Sequence, residues 1–247
     1  YMAVSFIIEE GFPLSQLQCI VSSMGRAARE ANVVIVTGDT KVVERGKGDG
    51  VFITTTGIGV IPPQVHIGAH RVQAGDKILL SGFIGDHGVA VMSQRENLQF
   101  DVDLHSDTAS LHTLVQHMLE AVPDIHCLRD PTRGGLSAAL NEIAEQAGVG
   151  MVIDEKTIPV KDAVVSACEL LGLDALHVAN EGKLVATCAA DDAQDLLKAM
   201  KAHALGHDAV IIGEVIVDEN HFVQLRTVFG GKRMIDWLHG EQLPRIC

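Results

Sequence analysis

A chain of 247 residues allows one large domain or two ordinary ones, and with 47% hydrophobic but only 4% aromatic residues its core must be built from Val, Ile, Leu and Ala. The formal net charge of −13 is spread along the chain, which argues against nucleic acid or an anionic membrane as a partner. No apolar run reaches bilayer length, no signal peptide opens the chain, and five irregularly spaced cysteines (19, 127, 168, 188, 247) suit free thiols in a reducing cytoplasm.

The chain opens at Tyr1, without an initiator methionine, on a run through Ile8 that reads as a buried strand. A strand with no lead-in predicts that an N-terminal portion has been lost or removed. Gly11-Phe12-Pro13 turns the chain, and Leu14, Leu17, Ile20, Val21, Met24, Ala28 and Ala31 then fall at helical spacing. Val33 to Val36 predicts a short strand ending at Thr37-Gly38-Asp39-Thr40. Another strand is expected to start at Lys41, and a long one to run over Phe52–Ile61. Pro62-Pro63 and the polar connector behind it mark the expected domain boundary, giving units over 1–66 and 67–237.

Beyond it, Lys77–Leu80 reads as a strand, and Ser81–Gly88 leads into a helix near Val89–Gln94. Residues 97–105 are expected to be an exposed loop, with Ser106 or Asp107 capping a helix that runs through Val122. Helices are also expected over Leu136–Gln146, Val160–Leu171 and Asp191–Ala204. The remaining strands are Met151–Asp154, Leu184–Ala189, Ala209–Val217 and Phe222–Thr227, and the last residues, 238–247, form an arm ending in Cys247. The mixed order favours an α+β sandwich over a Rossmann fold.

Four clusters carry candidate chemistry. Gly38-Asp39-Thr40-Lys41, read as lying just past a strand end, offers a hard oxygen ligand for Mg²⁺ and an ammonium for phosphate or proton transfer. An Asp-Thr turn between two strands explains it equally well. Asp130-Pro131-Thr132-Arg133-Gly134-Gly135 opens a helix and suits an anion held by backbone N–H groups, with Asp130 on a metal and Arg133 on the anion. The plainer reading makes Asp130 the N-cap and Pro131 the first helical residue, which leaves Arg-Gly-Gly unexplained. Asn180-Glu181-Gly182-Lys183 places a carboxylate at a strand entry, a general base or a solvated turn charge. Gly85-Asp86-His87-Gly88 reads best as a plain cap. Cys247, the final residue, sits behind Pro244 and Arg245, either a frayed end or a thiol on a short arm.

Together, Ile8-Glu9-Glu10-Gly11, Val36–Val43, Gly85–Gly88, Asp130–Leu136, Asn180–Lys183 and Pro244-Arg245-Ile246-Cys247 resemble the HypE family of hydrogenase-maturation proteins, within the aminoimidazole-ribonucleotide-synthetase-like (PurM-like) superfamily. The likeness runs the full length, and the Pro-Arg-Ile-Cys ending is its most specific part. The family's front segment, with Gly-Asp-Ala-Ala and Asn-Asp motifs for ATP and metal, has no counterpart here. The resemblance implies two α/β domains with mainly antiparallel sheets, a homodimer formed by the N-terminal domains around strands such as Phe52–Ile61, and a mobile tail. It implies that a HypF-type carbamoyltransferase loads a carbamoyl group onto Cys247. ATP then drives dehydration of the S-carboxamide to an S-cyanate, and the cyano group passes to iron on a HypC/HypD-type scaffold. It further implies Lys41 and Glu181 as deprotonating groups, and Asp39 and Asp130 as Mg²⁺ ligands. Gly38, Thr40, Thr132, Arg133 and Gly134 would then contact the nucleotide. The alternatives are a selenophosphate-synthetase-like phosphotransferase and a dimeric carrier with no chemistry of its own.

Overall fold

Alternation of side chains along Lys77–Leu80 sets the architecture of the larger part of the molecule. In this computed structural model, which describes residues 1–95 and 104–237, Ile78, Leu79 and Leu80 are all fully buried. They point to two different cores: Ile78 and Leu80 to one, Leu79 to the other. A strand covered on both faces reads as an unbroken apolar run, which is why this one shows no polar alternation.

The chain divides between Pro62 and Pro63. The first unit holds β1 (Met2–Glu9), α1 (Leu14–Glu30), β2 (Ile35–Val43) and β3 (Val51–Gly57), in a sheet of order β2-β1-β3. β1 runs parallel to β2 across the α1 crossover and antiparallel to β3. Leu17, Ile20, Met24 and Ala28, at helical spacing, are the half-buried stripe of α1, and Val4 is buried at the centre of β1.

The second unit is a seven-stranded sheet of order β10-β9-β6-β8-β4-β7-β5. Its strands are β4 (Lys77–Leu80), β5 (Cys127–Arg129), β6 (Gly150–Asp154), β7 (Val185–Cys188), β8 (Val210–Ile216), β9 (Val223–Arg226) and β10 (Lys232–Ile235). Its pairings are antiparallel except that of β6 with β9. The helices are α2 (Asp86–Arg95), α3 (His112–Ala121), α4 (Gly135–Ala147), α5 (Asp162–Leu171) and α6 (Ala193–Ala202). Leu136, Leu140, Ile143 and Ala144 of α4 fill the core on one face, and Leu114, Met118, Leu196 and Met200 of α3 and α6 fill the other. A third cluster joins Val89 of α2 to Val164, Ala167 and Cys168 of α5. Each fully buried Leu or Ile contributes about 1.5–3 kcal/mol relative to exposure. Gly148 and Gly172, at φ 69° and 68°, terminate α4 and α5 in the left-handed conformation.

Three expectations are corrected. Thr37–Thr40 is neither a strand end nor a turn, because β2 runs unbroken from Ile35 to Val43. Gly38 is extended there, and it is required because the Val4 carbonyl of the neighbouring strand fills the place a β-carbon would take. The strand expected over Phe52–Ile61 stops at Gly57. Neither Ser106 nor Asp107 caps α3, which begins at His112 behind Leu111 with no side-chain cap. The loop expected at 97–105 and the arm 238–247 fall largely and wholly, respectively, outside the described residues.

Candidate functional site

In the first unit the site residues lie on one strand, and the period of two sorts them. Asp39 pairs with Ser5 and Lys41 with Ile7 across to β1, so these four share a face, with Thr54 and Phe52 of β3 completing the two rows. Gly38 and Thr40 point to the opposite face, aligned with Val4 and Phe6. Asp39 and Lys41 are both exposed, and Asp39 Oδ1 accepts the Thr40 N–H at 2.8 Å.

In the second unit three loops meet on one buried side chain. Asn180 is fully buried; its Oδ1 accepts the Gly85 N–H at 2.7 Å, and its Nδ2 donates to the carbonyls of Pro131 at 2.9 Å and Val178 at 3.0 Å. Gly88 N–H donates in turn to the Ala179 carbonyl. The segments at Gly85–Gly88, Asp130–Gly135 and Asn180–Lys183 are thereby fixed to one another. The plain-cap reading of Gly85–Gly88 is incomplete, because Asp86, the first residue of α2, also holds Lys161 at 2.6 Å while its Oδ1 is buried without a hydrogen-bond partner among the described residues.

The Asp130–Gly135 stretch is a turn rather than a capped helix start. Asp130 is exposed, five residues before α4, and does not cap it; Gly134 is the N-cap residue, with no side-chain cap. Gly134 and Gly135 have φ 73° and 62°, and the Gly135 N–H closes the turn onto the Thr132 carbonyl at 2.9 Å. At Gly135 a side chain would also collide with the carbonyls of Leu176 and Val178. That turn takes up the Gly135 amide, and no side chain caps the rest of the first turn of α4, the positive end of a helix of 13 residues. Among the described residues, no hydrogen bond or ion pair engages the side chains of Asp130, Thr132 or Arg133.

Glu181 is half-buried and held by its main chain. Its N–H donates to Asp107 Oδ1 at 3.0 Å, its carbonyl faces the Ala109 N–H at 3.4 Å, and Lys183 Nζ reaches Asp107 Oδ2 at 3.4 Å. Gly182 has no room for a β-carbon because the Asp107 carbonyl is there. The Glu181 carboxylate is left without a hydrogen-bond or ion-pair partner among the described residues. Asp107, which the sequence offers only as a helix cap, instead holds the Glu181 main chain from 74 positions away, with no motif to link them.

The buried thiols are unreactive by environment. Burial pushes Cys127 and Cys168 up to about 11 and Cys188 to about 12, while Cys19 is exposed on α1. No group of three or more His, Cys, Asp or Glu side chains suited to a metal occurs among the described residues. Cys247 lies outside them. No helix among them is long and apolar enough to cross a membrane.

The three-stranded and the seven-stranded units correspond to the two domains of AIR synthase related proteins. The family's N-terminal domain matches residues 1–61 and its C-terminal domain residues 73–226. The chain is 65% identical to the carbamoyl dehydratase HypE of Cupriavidus necator over 247 residues, all of this chain and 70% of that protein. It is also similar to a crystal structure of the hydrogenase maturation protein HypE in complex with ATP, with a TM-score of 0.95 and 45% identity, covering 100% of this chain and 75% of that one. A chain of the HypE–HypF complex matches with a TM-score of 0.92 and 48% identity, covering 96% and 77%. The chain belongs to the HypE family of carbamoyl dehydratases.

Proposed function

We propose that this protein is an ATP-dependent carbamoyl dehydratase of [NiFe]-hydrogenase maturation whose substrate is its own Cys247. The reading rests most on one observation: Asn180, the residue immediately before Glu181, holds the root of the Thr132–Gly135 turn through the Pro131 carbonyl. An anion-accepting turn and an unengaged carboxylate are thus locked together, which is what coupling phosphoryl transfer to proton removal requires.

The reaction converts the S-carboxamide of Cys247 and ATP into the S-cyanate, ADP and phosphate. The amide oxygen is a poor leaving group, and ATP supplies the phosphoryl group that makes it a good one. Both N–H protons must then leave so that the nitrogen lone pairs complete the C≡N bond as phosphate departs. Glu181 takes one. Lys41, exposed on its sheet face, becomes a base only once bound substrate covers and desolvates it.

The residues present fit a nucleotide and its ion. Two left-handed glycines and the uncapped N-terminus of α4 suit phosphate oxygens, with Thr132, Arg133 and Gly134 as the contacts; Gly38 and Thr40, on the other face of β2 from Asp39 and Lys41, would serve through the main chain of that edge strand. Mg²⁺ in such sites is held by one or two carboxylates together with phosphates and water, and the exposed Asp39 and Asp130 are the carboxylates proposed for it. A HypF-type carbamoyltransferase would load Cys247 and a HypC/HypD-type iron scaffold would receive the cyano group. Two copies would associate through β3 and the exposed Ile58, Val60 and Ile61 that follow it.

Mass spectrometry of the carbamoylated protein after ATP addition tests this. Loss of one water from the Cys247 peptide, with ADP released, is the expected result. An unchanged mass would leave a carrier without chemistry, and ADP formation that persists with Cys247 blocked would point to a different phosphotransferase.

A further inference from the structure

Two buried polar side chains of α4 have no part in the site described above. Ser137 is 1% exposed and Asn141 8%, one helical turn apart among Leu136, Leu140 and Ile143. Polar groups in such a place are costly unless they are bonded. Both are bonded to the same foreign segment. Ser137 Oγ donates to the Asp236 carbonyl at 2.8 Å, and Asn141 Nδ2 donates to the Ile235 carbonyl at 3.0 Å as well as to Ser137's own carbonyl at 2.9 Å. These are the last residues of β10 and the one beyond it, an edge strand of four residues.

We propose that Ser137 and Asn141 are positioning residues that anchor the root of the C-terminal segment beside the Thr132–Gly135 turn. Ser137 follows Gly134 by three residues, about 4.5 Å along the helix axis. The main chain at Asp236 is therefore pinned within one turn of the amides assigned above to phosphate. Ten residues, 238–247, remain beyond Trp237. Fully extended they span at most about 33–36 Å, so a fixed root keeps Cys247 at high effective concentration around that turn. A free root would lengthen the tether back toward Lys232 and dilute it, by about twofold if concentration falls as the −3/2 power of length.

The anchoring can be measured without reference to any reaction, because Trp237 is the chain's single tryptophan and adjoins the anchored carbonyl. In Ser137→Ala and Asn141→Ala proteins, acrylamide quenching of Trp237 should rise by about twofold or more while circular dichroism is unchanged. Unaltered quenching in both variants overturns the proposal. Its consequence for catalysis rests on the reading of Cys247 given above. In single turnovers, dehydration of the carbamoylated cysteine in cis should slow at least about twofold. Dehydration in trans, of a carbamoylated peptide of residues 238–247 by the same anchor variant carrying Cys247→Ala, should keep its rate. Equal losses in cis and in trans would show damage to the α4 site and sink the anchor. Failure of the unmodified protein to dehydrate at all would sink the reading of Cys247 instead, leaving the quenching result to decide the anchor.

Discussion

Asn180 donates to the Pro131 carbonyl across 49 positions of sequence and, from the same side chain, accepts from Gly85 across 95. Replacing it by Leu strands the Gly85 N–H and the Val178 carbonyl in a buried region, while the Pro131 carbonyl keeps the main-chain N–H of residue 180. Each such group costs about 1–3 kcal/mol, so Asn180→Leu should destabilise the second unit by about 2 kcal/mol or more. Urea unfolding midpoints measure this, and a variant as stable as the parent would deny Asn180 its structural role.

Gly135 and Gly172 share a left-handed φ, 62° and 68°, but differ in surroundings, since nothing approaches Gly172. Gly172→Ala should cost only the conformational penalty of about 1–2 kcal/mol. Gly135→Ala should cost clearly more and weaken ATP binding, because the loop must shift to clear the carbonyls of Leu176 and Val178. Equal losses, read by thermal denaturation and nucleotide titration, would mean that the close approach does not matter.

Lys41→Ala and Glu181→Gln should both accept the carbamoyl group yet fail to dehydrate it, with rates lower by about 10²- to 10⁴-fold, the usual range for removing an acid–base group. The Lys41 variant should unfold as the parent does, because the side chain is exposed. Normal turnover by either, followed by mass spectrometry, removes that residue from the mechanism.

Iodoacetamide at neutral pH should modify Cys19 and spare Cys127, Cys168 and Cys188 in the folded protein. The same burial predicts an alkaline limit. Their folded pKa values, about 11, 11 and 12, lie above the ordinary 9.0, so the fold keeps protons that the unfolded chain has released. Their contribution is complete below pH 9 and is lost as pH rises from 9 through 11 to 12. Unfolding midpoints should fall over that window, and Cys168→Ala should lessen the fall. A flat profile would contradict the burial assignment.

Ile58, Val60 and Ile61 are 75%, 94% and 76% exposed. Val60→Asp with Ile61→Asp should shift a dimer to monomer in sedimentation without unfolding either unit. A dimer that survives both changes would place the contact elsewhere.

Long periodic elements are legible in the sequence: α1, α4 and α5 carry apolar stripes, α4 and α5 end at glycines, and Lys77–Leu80 reads as a strand. The residues of the glycine turn are legible as well, and of the two readings of Asp130 the N-cap one fails, because an Asp-Pro pair before a helix has the right chemistry in the wrong place. β5 and β10, of three and four residues, escaped because their pairing with β7 and β9 fixes them, and their own patterns do not. β2 was cut in two because Gly-Asp-Thr has turn composition, and only the Val4 carbonyl across the sheet explains a glycine there. Asp107 and Ser137 act through main-chain partners far along the chain, a relation that leaves no local signature.

The unbroken course of β2 ties the fates of Asp39 and Lys41 together. Two steps apart on a pleated ribbon, the carboxylate and the ammonium cannot be separated by sliding the strand, only exchanged as a pair for Gly38 and Thr40. Deleting one residue upstream within this strand would turn a charged surface into a neutral one, whereas deleting two would restore its parity. For this segment, odd and even changes in length are different kinds of mutation.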